Sequence, residues 1–176
     1  MRIAAALCWY NEPIMSMERC VKSLAGFADT LVSLDGAYKH FPHKTVHSPK
    51  EQHDNLTRIT AKHGIKHKPI AATDTPLTQA EKRTRLYRAA VDEAGSGGWI
   101  LIIDADEELS HKGALETLAR SGHVFDSASV MIKDDTSYAI QPRLVKAIGQ
   151  LTCGSQYHGM LSATDIDGRR VCVRDK

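Results

Sequence analysis

Trp99-Ile100-Leu101-Ile102-Ile103 is the stretch that most narrows what this chain can fold into. It is five apolar residues long, entered from Gly95-Ser96-Gly97-Gly98 and left through Asp104-Ala105-Asp106-Glu107-Glu108. A strand with one face in water alternates apolar and polar residues. A strand apolar on both faces must be covered on both, which is the situation of a central strand in a parallel sheet. The requirement is for helices above and below.

The rest of the chain supplies them. Arg2 to Cys8 and Thr30 to Leu34 are apolar runs of strand length, the second closed by Asp35-Gly36. Between them Glu12-Pro13 opens a helix in which Ile14, Met17, Val21, Leu24 and Ala25 recur at helical spacing up to Gly26. Ser48-Pro49-Lys50-Glu51 has the form of a capping box, and Leu56, Ile59 and His63 continue it to Gly64. Ile65 to Ala72 is a third strand candidate, for which Pro69 implies an edge position or a bulge. Thr78-Gln79-Ala80-Glu81 is a second capping box, opening a helix with Ala80, Tyr87, Ala90, Val91 and Ala94 on one face. Beyond the acidic run the pattern predicts a helix over 112–121, capped by Ser110. Strands follow over 127–133 and 143–148, then a hairpin at Ile166-Asp167-Gly168-Arg169. Alternating strands and helices read as an α/β fold: a doubly wound, mostly parallel sheet flanked by helices, with a small C-terminal β hairpin.

Composition excludes several classes. Hydrophobic residues make up 42% and charged residues 25% of the 176, the ordinary globular mixture and not that of a disordered tail or coiled coil. A net charge of +2 gives no basic stripe, so nucleic acid is not expected as a partner. No run approaches the roughly 20 apolar residues of a membrane span. The four cysteines, Cys8, Cys20, Cys153 and Cys172, form no C-x-x-C pair and read as reduced, buried fillers. With no signal-peptide pattern at Met1-Arg2-Ile3, a single cytoplasmic domain over 1–176 is expected.

In open α/β sheets, ligands bind in the crevice outside the carboxyl ends of the strands. Three polar loops fall there: Trp9-Tyr10-Asn11-Glu12, Asp35-Gly36-Ala37-Tyr38, and Asp104 to Glu108. Carboxylates beside a buried strand end lose hydration, and a divalent cation compensates for it. Magnesium or manganese suits hard oxygen ligands and commonly takes one or two carboxylates, with substrate phosphates completing the shell. An alternative is that the acids are solvated and favour a following helix N-terminus. A magnesium-dependent phosphatase also carries D-x-D after a strand. Here, however, Glu108 stands where its Thr or Val would, and three strands come first.

Four segments, in order, make the chain resemble the family-2 glycosyltransferases of the GT-A fold. They are Ile3 to Glu12, Thr30 to Gly36, Ala80 to Asp106, and Pro142-Arg143-Leu144-Val145 with Tyr157-His158-Gly159. The resemblance implies a metal-dependent transfer of sugar from a UDP- or GDP-linked donor. It implies that Asp104 and Asp106 are the D-x-D, that Asp106 holds Mn2+ or Mg2+ on the diphosphate, and that Asp104 lies near the ribose or the metal. His158 becomes a third metal ligand. Tyr10 and Asn11 lie at the nucleobase, with Tyr10 or Trp9 stacking on it, and Glu12, Asp35 and Gly36 complete that side of the donor site. A non-enzymatic nucleotide- or sugar-binding module on the same fold is the alternative.

Lys82, Arg83, Arg85 and Arg88 form a basic set early in a helix, where positive charge opposes the macrodipole. Arg83 is the expected diphosphate ligand, since a guanidinium fork fits phosphate and Arg85, two residues on, points elsewhere. The rest of the set reads as a solvated face. Catalytic-base candidates are Asp134, Asp135 and Glu107. Six of the nine histidines lie between residues 40 and 67 and read as part of a polar region, with Tyr38, Lys39 and Phe41 able to close over the donor. All three donor loops are present by residue 106 of 176. So 1–110 is expected to be the donor half, and 111–176 a metal closure with a minimal acceptor part. That part would suit a protein or polysaccharide, or be completed by a second subunit in a homo-oligomer.

Overall fold

A computed structural model describes residues 2–110, 127–133, 137–147, 150–153, 161–164 and 170–172. The central strand of the expected sheet is β4 (Trp99–Asp104). On one side it pairs in parallel with β1 (Ile3–Trp9), which pairs in parallel with β2 (Thr30–Asp35), and that with β3 (Lys66–Pro69). On its other side it pairs antiparallel with β7 (Tyr138–Lys146), followed by β6 (Ser127–Lys133) and β5 (Glu108–Leu109). The order is β3-β2-β1-β4-β7-β6-β5. Because β6 reverses the reversed β7, it runs with β1 to β4, so the sheet is mostly parallel. Pro69 ends the edge strand, which is shorter than the sequence pattern suggested.

Strand alternation divides the core in two. Ile3, Ala5, Leu7 and Trp9 of β1, with Trp99, Leu101 and Ile103 of β4, pack against α1 (Ile14–Leu24) and α2 (Lys50–Lys62). Ala4, Ala6, Cys8, Ile100 and Ile102 face α3 (Gln79–Ala94) on the opposite side. Helices on both faces make the sheet doubly wound, an α/β, Rossmann-like architecture. On this core, burying an apolar side chain is worth about 1.5–3 kcal/mol. The buried face of α3 differs from its expected stripe: Lys82 and Leu86 are buried with Tyr87, Ala90 and Ala94, while Ala80 and Val91 are only partly so.

The two helix starts differ instructively. Thr78 caps α3 through a complete capping box with Glu81. At α2 the expected box does not form: Pro49 holds the cap position with no side-chain hydrogen bond, because the Ser48 hydroxyl is engaged elsewhere. From α3 the chain enters β4 through Gly98, where a Cβ would lie 2.5 Å from the Ala94 carbonyl oxygen, so only glycine fits. A second sheet, β10-β9-β8, contains β8 (Gln150–Cys153), β9 (Leu161–Thr164) and β10 (Arg170–Cys172), all antiparallel. The β9–β10 pair is the C-terminal hairpin, though its Asp167-Gly168 turn and the helix expected over 112–121 lie outside the described residues. Among the described residues, no helix is long and apolar enough to cross a membrane.

Candidate functional site

β1, β2 and β4 end side by side, and a cavity of about 370 Å3 opens at those ends. Its wall takes Tyr10 and Glu12 from the loop after β1, and Tyr38, Phe41 and His43 from the loop after β2. Arg83 comes from the first turns of α3, and Asp104 and Asp106 from the end of β4. The three loops picked out by the strand-end rule therefore meet.

Asp104 is the most heavily braced residue there. Arg83 Nη2 donates to both its carboxylate oxygens, at 3.0 and 2.8 Å. Arg143 Nη1 stands 3.6 Å from Oδ2 and its Nη2 donates to Glu107 Oε1 at 2.7 Å. Glu107 in turn accepts from the Asp104 amide at 2.8 Å. The position of Arg143 has a backbone cause. Along β6 and β7 the pairing steps from Ala128↔Leu144 to Ser129↔Pro142, so Arg143 is the extra residue of a β-bulge. A bulge re-aims its side chain, and it accommodates the missing N–H of Pro142. In the sequence, Pro142-Arg143-Leu144-Val145 carries part of the family resemblance but points to no role for Arg143. A proline inside a strand was the available signal.

Glu107 was expected as a base candidate. The structure buries it in an ion pair with Arg143 and leaves it off the cavity wall, where it braces the turn. Burial pushes its carboxyl up, against the pull of Arg143. Asp134, Asp135 and His158 lie outside the described residues. Asp106 carries an exposed carboxylate on the wall. Glu12 is half-buried beside it, and burial followed by the charges of Asp106 and Asp104 raises its carboxyl.

The nucleobase side departs from expectation. Asp35 is 5% exposed and does not line the cavity. Its carboxylate accepts from the Ser48 amide at 2.9 Å and the Ser48 hydroxyl at 2.5 Å, with His53 Nε2 at 3.3 Å. That hydroxyl also accepts from the Asn11 amide at 2.7 Å, which accounts for the missing helix cap. Asn11 takes a left-handed backbone (φ 51°) and accepts from Gln52 at 3.2 Å, so it too is structural here. Trp9 touches the cavity but continues the Ile3-Ala5-Leu7 face into the core, 2% exposed and edge-on to His53. That β1 alternation was readable beforehand. Tyr10 stays on the wall, its hydroxyl donating to the Thr45 carbonyl at 2.5 Å.

Lys82 overturns its reading as part of a solvated face. It is 1% exposed, and Nζ donates to the carbonyls of Trp9 at 2.8 Å and Gly36 at 2.5 Å. It also lies 4.5 Å over the Tyr38 ring. Gly36 (φ 134°) supplies one of those carbonyls from a backbone that L side chains rarely adopt. One buried ammonium thus ties the ends of β1 and β2 together, and burial lowers its pKa. Arg85 and Arg88 line an outer groove of α3 away from the site. The loop after β2 is closed on itself by Ala37 N–H to Val46 carbonyl at 2.8 Å, which fixes Tyr38, Phe41 and His43 on the wall.

Among the described residues, no three His, Cys, Asp or Glu side chains converge to hold a metal ion. The donor set still suits a cation brought with a phosphate ligand, because one or two carboxylates suffice for magnesium when phosphate oxygens complete the shell. Among the described residues Asp106 and Glu12 are the wall carboxylates that form no ion pair, although Lys82 pulls on Glu12 through space.

The sequence matches no protein-family model and no curated protein. Among solved structures, a crystal structure of 4-diphosphocytidyl-2C-methyl-D-erythritol synthase is similar with a TM-score of 0.45 and 14% identity, over 84% of this chain and 76% of that one.

Proposed function

We propose that the chain is a metal-dependent glycosyltransferase that moves a sugar from a nucleotide-diphosphate sugar to an acceptor hydroxyl. The observation that carries this reading is the convergence of the Asp106 carboxylate and the Arg83 guanidinium on one cavity at the strand ends. Diphosphate is the group that calls for both: a cation held by carboxylate, and a guanidinium fork.

In this reading Asp106, with Glu12 beside it, holds Mn2+ or Mg2+, which when bound supplies Lewis-acid charge neutralisation to the leaving diphosphate. Arg83 adds a second positive charge on the same wall, kept in place by Asp104. Tyr10 offers its ring to the nucleobase of a UDP or GDP donor, and the tie to Thr45 fixes that ring. Arg143 and Glu107 position Asp104 and touch no substrate. Asp104 is unsuited to act as a phosphatase nucleophile, because Arg83 engages both of its oxygens. The acceptor is read as a protein or polysaccharide, and the protein as acting without nucleic acid, in the cytoplasm.

The test is a panel of UDP- and GDP-sugars with manganese, followed by mass spectrometry of products. The expected result is release of nucleoside diphosphate, lost in Asp106→Ala. Pyrophosphate release from nucleoside triphosphates, with no sugar released from any donor, would replace this reading with nucleotidyl transfer.

A further inference from the structure

Of the three expected base candidates, Glu107 is committed to Arg143, and Asp134 and Asp135 lie outside the described residues, so none of them stands on the described wall of the cavity. Base strength separates the groups that remain on the wall. Burial pushes the Cys8 thiol and the Tyr38 hydroxyl up, so both stay protonated near neutrality. Asp104 is held by two guanidiniums. Asp106 and Glu12 carry the charge that a cation would take. His43 is left.

Its geometry is specific. His43 Nδ1 lies 2.8 Å from the backbone carbonyl oxygen of Phe41. A carbonyl only accepts, so Nδ1 must carry the hydrogen, and in the neutral ring Nε2 holds the lone pair. Phe41 is itself held by a turn, its amide donating to the Tyr38 carbonyl at 3.1 Å, and the Ala37–Val46 hydrogen bond closes the loop behind it. The backbone thus sets the imidazole tautomer, as it does where histidine serves as a proton acceptor.

We propose that His43 is the catalytic base of this site, taking the acceptor hydroxyl proton on Nε2. The proposal rests on the glycosyltransferase reading and completes it. As the O–H bond breaks, its proton passes to Nε2 and the oxygen's electron pair forms the new bond to the anomeric carbon. The anomeric carbon–oxygen bond to diphosphate breaks, and its electrons leave with the diphosphate toward Arg83. Direct displacement of this kind inverts the anomeric centre. The charged groups sharing the wall are Glu12, Asp104, Asp106 and Arg83, and the loop itself carries Lys39, His40, Lys44 and His47 besides His43.

The experiment compares the full chain with His43→Gln, an exposed position whose replacement leaves the core untouched. Calorimetry measures binding of UDP and GDP with manganese. Initial rates of UDP-glucose and GDP-mannose cleavage, with water as acceptor, are followed across pH, and NMR gives the anomeric configuration of the released sugar. The expected outcome is nucleotide binding within about twofold of the parent. Cleavage should fall about 100-fold or more, the acid limb of the parent profile should vanish, and the product should be inverted. Unchanged cleavage in His43→Gln, a retained product, or a parent that binds nucleotide without cleaving any donor overturns the assignment to His43 alone. A parent that binds no nucleotide with manganese overturns the glycosyltransferase reading and this proposal together.

Discussion

Two aspartates end the strands on either side of β1, and they have opposite fates. Asp35 closes β2 in register with Trp9, and Asp104 closes β4 in register with Cys8. Asp35 is sealed by the hydroxyl and backbone amide of Ser48, thirteen positions on, with His53 Nε2 at 3.3 Å and His47 Nδ1 at 3.8 Å. Asp104 is held by cations from two distant elements and stays on the cavity wall. Hydroxyl, amide and imidazole groups packed around it inside the fold turn the Asp35 carboxylate into a strut. Guanidiniums at a cavity keep positive charge where an anionic ligand can share it. Similar placement in the sheet therefore does not predict similar use, and the partner decides.

Lys82, which stands between the two, gives the largest expected effect. Lys82→Ala takes a buried donor from the Gly36 carbonyl and from the Trp9 carbonyl, which keeps only the Gly36 amide at 3.2 Å; each loss is worth about 1–3 kcal/mol, and relief of the buried charge offsets part of that. A net loss of about 3 kcal/mol in urea unfolding is expected, and no loss would mean that the strand ends need no tie. Next comes Arg83→Met. Removing one partner of a buried pair costs about 3–5 kcal/mol. Arg143 remains 3.6 Å away, so about 2 kcal/mol is expected here. Arg143→Met should behave alike, and a double-mutant cycle should show coupling between them. Ser48→Ala, on the sealed side, should cost about 1–2 kcal/mol and leave nucleotide binding nearly unchanged. A large loss of binding would move Asp35 back into the site.

The smallest effect lies away from both aspartates. Glu93 accepts from Lys66 at 2.7 Å and Lys68 at 2.9 Å, tying α3 to the β3 edge. Those hydrogen bonds hold its carboxyl down to about 2. A depressed pKa contributes stability above the unfolded value of about 4.3 and loses it as pH falls. Between pH about 4.3 and about 2, the parent should therefore lose more stability than Glu93→Gln, as read from urea midpoints.

The parts of this molecule that were legible in the sequence are those decided locally. β6 runs over its expected residues, and β1, β2 and β4 fall within a residue of theirs, because apolar runs between breakers leave little choice. The Thr78 capping box formed because its partner is three residues away. The Ser48 box failed because a partner brought by the sheet offered the hydroxyl a charged acceptor. Arg143 was invisible as a brace, since its partners lie 36 and 39 residues earlier and a bulge aims it. Lys82 was misread for the same kind of reason: only the packed fold shows two carbonyls waiting for an ammonium.

On the proposed reading, the Asp104 side of β1, and not the Asp35 side, receives a nucleotide diphosphate together with a cation. Titration calorimetry of UDP and GDP, with and without manganese, against the parent, Asp106→Asn and Ser48→Ala tests it most directly. Manganese-dependent binding of at least one nucleotide is expected for the parent and for Ser48→Ala, and its loss in Asp106→Asn. Undiminished binding by Asp106→Asn, or no binding by the parent to either nucleotide, would contradict it.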